Sequence, residues 1–179
     1  MFYNNIETGR LLLKNIDNGD REFVFSQFSD DDINRYLFDA EPLTDISGAN
    51  EIIEFYLKPE PRPQHRWIVI RKADGVKMGT CGFHCWSVKD SRVEIGYDLK
   101  KEFRGNGYMC EALNAIIEFA KGSMDIKQIN ACIYTKNHKS ISLAEKVGFV
   151  LTGSKYELYK GEKYLHSIYS LSFQCKNYF

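Results

Sequence analysis

Apolar and polar positions along the chain change period several times, and each change marks an element. Residues 10–16 (RLLLKNI) hold a compact apolar run between charged ends, which predicts a strand over Arg10–Ile16. Helical spacing then predicts short helices over Asp20–Phe28 and Asp30–Leu37. The second has Ser29 as N-cap and Asp32 three residues on. A third helix ends over Glu51–Leu57 and starts near Thr44 or Asp45. Pro59, Pro61 and Pro63 then punctuate a loop. Strands follow at Trp67–Arg71 and Lys77–Trp86, paired as a hairpin about Ala73-Asp74-Gly75, and another at Arg92–Leu99. Gly107–Lys121 carries Met109, Ala112, Leu113, Ile116 and Ala120 on one helical face, with Gly122 as its stop. Gln128–Tyr134 is a strand and Lys139–Val147 a helix closed by Gly148. Phe149–Leu158 and Lys163–Ser172 are strands about a Lys160-Gly161 turn.

This order predicts an α/β (α+β) chain in which a mixed sheet carries helices on its faces. A dinucleotide-binding sheet would alternate strand and helix throughout, and this chain does not. At 179 residues, 44% hydrophobic and 27% charged, the expectation is one globular domain over residues 1–179. The 24 basic residues balance 24 acidic ones. A polyanion binder carries a basic excess, so neither nucleic acid nor a membrane surface is expected as partner. Met1–Gly9 has no basic stretch leading into an apolar core, so no secretory signal is expected. The five cysteines (Cys81, Cys85, Cys110, Cys132 and Cys175) are odd in number and scattered. They are read as reduced thiols of a cytoplasmic protein. Cys81, His84 and Cys85 lack a second pair at ligand spacing, so no metal is expected.

The chemistry concentrates in two segments. In Tyr97–Leu113 (YDLKKEFRGNGYMCEAL) a strand runs out, Arg104-Gly105-Asn106-Gly107 makes a short loop, and a helix starts at once. Glycines let the backbone curl and aim successive N–H groups at one point. The helix N-terminus adds unpaired donors and partial positive charge, and Lys100, Lys101 and Arg104 against Glu102 add +2. A pyrophosphate suits such a cradle. The loop is not a P-loop, because no Gly-Lys-Ser/Thr follows, and it lacks the third glycine of the dinucleotide fingerprint. In Tyr134–Phe149 (YTKNHKSISLAEKVGF) Asn137 is read as an N-cap and Gly148 as a left-handed C-terminal glycine. The Asn137 amide and Ser140 hydroxyl could also bond the amide-rich arm of a long cofactor.

Taken together, four stretches resemble the GCN5-related N-acetyltransferase (GNAT) superfamily, and within it the branch of ribosomal-protein N-terminal acetyltransferases. They are Thr8-Gly9-Arg10-Leu11-Leu12-Leu13; Glu94-Ile95-Gly96-Tyr97 with Arg104-Gly105-Asn106-Gly107-Tyr108 and Glu111-Ala112-Leu113; Asn137-x-x-Ser140 leading to Glu145-Lys146-Val147-Gly148-Phe149; and the Lys160-Gly161 hairpin. The resemblance implies a mostly antiparallel sheet of about seven strands, splayed at its centre, with helices on both faces. It implies acetyl-CoA as cosubstrate and a primary amine as acceptor, a small molecule or a peptide N-terminus, acetylated by direct transfer. Tyr97 and Leu99 would lend backbone to the pantetheine arm. Arg104, Gly105, Asn106, Gly107, Tyr108 and Met109 would hold the pyrophosphate, and Asn137 and Ser140 the arm.

Three positions depart from the superfamily pattern. Met109 stands where Gly or Ala is usual, so its side chain should turn into the core. Ala144 stands where many relatives carry a tyrosine acid; the resemblance to the ribosomal-protein branch, in which a serine at the Ser140 position can serve instead, implies Ser140 or a bound water as the candidate acid. Leu165 precedes His166 where an acidic residue is common. Glu94, flanked by Val93 and Ile95, should face the cleft with its pKa raised by partial burial, as candidate base. His84 on the neighbouring strand is its rival, and Cys85 as acyl carrier ranks below both.

For the acceptor, Asp17–Asp45 holds nine acidic and two basic residues, a net of −7, so the rest of the chain nets +7. This reads first as solvated helix ends and second as a rim that attracts a cation. Tyr36, Phe38, Phe55, Tyr56 and Trp86 are either core or pocket wall. The competing functions are a coenzyme-binding sensor without catalysis and an unrelated nucleotide-phosphate binder. The assembly expected is a monomer or a homodimer.

Overall fold

The structure, a computed structural model, describes residues 2–38, 40–60 and 62–173. Cys175 lies outside them. The elements in chain order are β1 (Ile6–Glu7), β2 (Leu11–Asn15), α1 (Arg21–Phe28), α2 (Asp31–Asn34), α3 (Ser47–Leu57), β3 (His65–Arg71), β4 (Lys77–Ser87), β5 (Arg92–Leu99), α4 (Tyr108–Ser123), β6 (Gln128–Tyr134), α5 (His138–Lys146), β7 (Val150–Tyr159) and β8 (Glu162–Ser172). The strands form one sheet in the order β1-β2-β3-β4-β5-β6-β8-β7. It has eight strands rather than about seven, because the two-residue β1 pairs Ile6 with Leu13 at the edge. Nothing in a two-residue run has the alternation that marks a strand.

Two apolar clusters sandwich the sheet, as period-2 patterning requires. On one face Val24 of α1 and Ala49 and Ile53 of α3 pack on Ile68 and Ile70. On the other, Ala112, Leu113, Ile116, Ile117 and Ala120 of α4 cover Leu11, Leu13, Trp67, Val69, Phe83, Val93 and Ile95. Met109 is buried in that second cluster, so its side chain does turn inward.

Every neighbouring pair is antiparallel except β5 and β6. Those two are parallel and register only over Arg92–Glu94 against Gln128–Asn130. Beyond that point the strands part, which is the expected central splay. β7 closes the order on the outside, pairing only with β8. Val150, Leu151, Tyr156 and Leu158 on it are exposed.

The predicted helix over Asp30–Leu37 shrinks to one turn, capped by Asp30 rather than Ser29. Ser29 instead ends α1, its N–H donating to Phe25 O. Asn34 Nδ2 donates back to Phe28 O and Asp30 O, spending on a tight wrap the carbonyls a longer helix would use. Gly122 does not stop α4, which runs on through Ser123. Gly148, at φ +97, closes α5 as read.

Candidate active site

The loop between β5 and α4 curls through two left-handed glycines, Gly105 (φ +80) and Gly107 (φ +76). Open space lies where a Cβ on Gly105 would sit, and no side chain caps the first turn of α4. The amides there are bare donors at the positive end of a 16-residue helix. Asn106 folds its side-chain amide over the curl, donating to Phe103 O and Arg104 O.

A lock from the chain's start holds this curl. Glu111, one turn into α4, accepts from Thr8 Oγ1 (2.6 Å), Arg10 N (2.9 Å) and Arg10 Nε (2.6 Å). Arg10 Nη1 donates to Asn106 O at 3.0 Å, and its guanidinium lies 4.7 Å from the centre of the Tyr108 ring. Burial pushes the Glu111 carboxyl up, but the Thr8 and Arg10 hydrogen bonds outweigh it and hold it below the usual carboxylate range. Thr8, Arg10 and Glu111, which lie in the stretches that carry the resemblance, thus hold the curl in place.

The Arg104 amide is the group expected at the pyrophosphate, and its side chain, counted in the loop's +2, is engaged elsewhere. Its Nε donates to Leu99 O (2.8 Å) and its Nη1 pairs with Asp32 Oδ2 (2.5 Å). The side chain ties the end of β5 to α2, and the Leu99 carbonyl is spent on it. Tyr108 and Met109 are the first two residues of α4, so their amides are among the bare donors.

Across the splay, Asn137 caps α5, its Oδ1 accepting from Ser140 N at 3.3 Å. Ser140 Oγ donates to the Tyr97 hydroxyl at 2.8 Å, and that hydroxyl donates to Ser140 O at 3.1 Å. Burial pushes the Tyr97 phenol up to about 12, so it holds its proton at neutral pH. Ala144 is buried in the core. A tyrosine hydroxyl therefore does stand beside the candidate acid, but it comes from β5 rather than α5. Sequence spacing could not pair Tyr97 with Ser140, 43 residues away.

On the opposite face of the sheet, Glu94 turns away from Val93 and Ile95 as expected. It lines a cavity of about 300 Å3 with Cys85, Ser87, Arg92, Asn130, Cys132, Lys155 and Ile168. Its Oε2 lies 3.4 Å from His84 Nε2, so the two rival bases form one pair. The expected rise in pKa is overturned. The His84 hydrogen bond lowers it, ahead of opposing burial, with help from Lys155 and Arg92.

A second carboxylate, missed in the sequence, joins this face. Glu157 lies 3.0 Å from Lys155 Nζ and 3.5 Å from His166 Nε2. Tyr164 O accepts from His166 Nδ1 at 3.0 Å, which places that proton on Nδ1 and leaves Nε2 toward the carboxylate. Burial opposes ionisation of Glu157, yet the Lys155 hydrogen bond and the His166 and Lys155 charges leave its pKa lowered. Burial raises the Cys85 thiol, and it pushes Cys132 up to about 12, so neither is an activated nucleophile.

Aromatic rings wall the approach to Glu157. Phe38 stacks on Tyr164 at 4.3 Å and meets Tyr134, Tyr159 and His166 edge-on, and Tyr36 reaches Tyr134. Of the other aromatic candidates, Trp86 stacks on Phe2, and Phe55 and Tyr56 pack on each other in α3. The acidic segment is partly neutralised in place. Asp20 pairs with Lys14 and Lys77, Asp32 with Arg104, and Glu41 with Lys160. Among the described residues no group of three or more metal-ligating side chains converges, and no helix is long and apolar enough to cross a membrane. A larger concavity of about 660 Å3 near His65 shares no lining residue with the site.

Known proteins share this fold. The N-acetyltransferase YoaA of Bacillus subtilis, itself uncharacterised, is 31% identical over 93% of this chain and 95% of its own length. RimL, a ribosomal alpha-N-protein acetyltransferase solved with coenzyme A, superposes with a TM-score of 0.85 at 17% identity, covering 94% of this chain and 98% of that one. Spermidine N-acetyltransferase from Vibrio cholerae, solved with CoA and spermine, gives 0.80 at 18% identity over 92% and 96%. Residues 10–150 match the acetyltransferase (GNAT) domain family. The chain belongs to that family, and it is an N-acetyltransferase.

Proposed function

We propose that this N-acetyltransferase moves the acetyl group of acetyl-CoA to a primary amine, a peptide N-terminus or a small amine, by direct attack of nitrogen on the thioester. One observation carries the reading. The curl of bare amides at Gly105–Met109, locked by Arg10 and Glu111, opens onto the splay that Tyr97 and Ser140 bridge. The curl fits a pyrophosphate because its donors are main-chain N–H groups and space is open at Gly105. Arg104, Asn106 and Asn137 serve by building the loop and the α5 cap. The backbone edge of β5 around Tyr97 suits the amide-rich arm, since β6 pairs with β5 only as far as Glu94, although the Leu99 carbonyl is taken by Arg104.

In the reaction the incoming ammonium gives a proton to Glu94, directly or through water, and the neutral nitrogen forms the new C–N bond. A main-chain N–H of the Tyr97–Leu99 stretch steadies the oxygen as it gains charge. The C–S bond breaks, and Ser140 Oγ–H, positioned by the Tyr97 hydroxyl, protonates the departing thiolate and takes a proton back from solvent. A second reading gives Glu157 the proton, because His166 is held with Nε2 toward it at the aromatic approach.

The two acceptor classes bound or modified by the structural relatives set the screen, peptide N-termini and polyamines. Free thiol released from acetyl-CoA is measured for wild type, Glu94→Gln and Glu157→Gln. Loss of kcat in Glu94→Gln with coenzyme affinity unchanged is the expected result. Loss confined to Glu157→Gln transfers the base role. If Gly105→Val leaves coenzyme affinity untouched by calorimetry, the cradle reading is wrong.

A further inference from the structure

Phe38 stands at the centre of the ring cluster beside Glu157, half-buried and outside regular structure between α2 and α3. Its ring centre lies 4.3 Å from Tyr164, 4.8 Å from Tyr134, 5.5 Å from His166 and 5.8 Å from Tyr159. It stacks on Tyr164 and meets the others edge-on, the two geometries that ring pairs prefer. The surrounding rings also reach one another, Tyr134 to Tyr164 at 5.8 Å, Tyr134 to His166 at 5.6 Å and Tyr159 to Tyr164 at 6.4 Å. Together they make a box that one ring fills. We propose that this box receives an aryl ring of the acceptor, and that Phe38 keeps its place in the free enzyme. The acceptor is then a primary amine with a ring close to its nitrogen. This rests on the amine-acetylation reading above and names the class of amine.

Strand geometry ties the box to the reacting groups. Tyr134 follows Cys132 by two residues on β6 and pairs in register with His166 of β8, which precedes Ile168 by two. On β7, Tyr159 follows Glu157 by two residues and Lys155 by four. Alternate residues of a strand share a face. The box therefore continues the lining of the cavity that Glu94 faces, to which Cys132, Lys155 and Ile168 belong. Cys132 Sγ lies 3.5 Å from Glu157 Oε1, so the two groups of side chains meet. Two residues of strand span about 7 Å. A ring held in the box thus needs only a short alkyl link to carry its amine back to the carboxylates.

Charge favours an aryl group over the second ammonium of a polyamine. The acids around the box are already engaged. Glu157 pairs with Lys155 at 3.0 Å, Glu41 pairs with Lys160 at 2.7 Å, and Glu162 accepts from the Tyr164 hydroxyl at 3.0 Å. Lys160 Nζ also stands 5.2 Å from the centre of the Tyr159 ring, so a cation already occupies that rim. A second ammonium would shed its water among rings and meet like charge. A ring remakes the contacts that Phe38 gives up. It can belong to a free arylalkylamine or to the first residue of a peptide, which present the same chemistry to the box.

Thiol release from acetyl-CoA is measured with phenethylamine and the peptide Phe-Gly-Gly, against propylamine and Ala-Gly-Gly as ringless counterparts, and against spermidine. Because ring replaces ring, wild type should favour the ring-bearing amines modestly and Phe38→Ala strongly. In Phe38→Ala the KM for a ring-bearing amine should fall by about tenfold, with the KM for propylamine unchanged. The ring-bearing amine that gains more identifies the source of the ring. Tyr164→Ala removes the stacking partner and should erase the preference while propylamine turnover is kept. Calorimetry of phenethylamine on the CoA-loaded enzyme reads the box without turnover. An enzyme inactive on every amine that still binds phenethylamine more tightly as Phe38→Ala would count against the acetylation reading and keep the box. A Phe38→Ala enzyme that gains nothing for ring-bearing amines, gains equally for propylamine, or prefers spermidine overturns the inference. So does a ring preference that survives Tyr164→Ala, and this second variant decides the matter if Phe38→Ala fails to fold.

Discussion

Glu111 lies one turn into α4, and the geometry of the proposed phosphate cradle rests on it. Its carboxylate ties Thr8 and Arg10 to the first turn of α4, and Arg10 reaches on to the Asn106 carbonyl. Glu111→Ala strips three hydrogen bonds at once. It should lower stability by about 1–2 kcal/mol in urea titration and weaken CoA binding by roughly tenfold in calorimetry, with helical content kept. Glu94 makes the opposite kind of prediction, about pH. Its folded-state pKa is lowered, so it is already ionised throughout the neutral range. The acid limb of kcat/KM assigned to Glu94 should therefore lie below about pH 4.5. An inflection between pH 6 and 8 that vanishes in Glu94→Gln would keep Glu94 as the base and refute its lowered pKa.

At the level of elements, α4 joins the cradle to the core. Met109 sits one residue inside its start and is buried against the sheet. Met109→Ala should cost about 2–4 kcal/mol through the cavity it leaves. Because the bare amides sit on the same turn, coenzyme affinity should fall together with the thermal midpoint. This half of the site was legible in the sequence. Glycines, a helix start and a cap are local signals, and Arg104–Tyr108, Asn137 and Gly148 carried them. The proposed acceptor half was not. Tyr164 and His166 meet Phe38 and Tyr134, with Glu157 beside His166, only because β8 inserts between β6 and β7, and strand order has no local signature. The Tyr97–Ser140 bridge was hidden for the same reason. The short α2 was misjudged because Asn34 takes carbonyls that helical periodicity assigns to the helix.

Across the whole molecule, several lowered carboxyls act together. Asp20, Glu94, Glu111 and Glu157 are all more acidic folded than free. A group with a depressed folded pKa adds stability above its unfolded value and loses it as pH falls through the folded one. Urea midpoints should therefore be flat above about pH 5 and drop steeply below about pH 4. Asp20→Asn should soften that drop, because a buried carboxylate shared by Lys14 and Lys77 would no longer titrate. The rungs between β5 and β6 carry the widest consequence. Between those strands only Arg92–Glu94 and Gln128–Asn130 stitch one half-sheet to the other. The joint works as a short spine between two covers, and a cosubstrate lying in the gap would be gripped by both boards. Loading should then slow amide hydrogen exchange most along the parted lengths of those strands, so that the enzyme is stiffest when charged and loosens as it discharges.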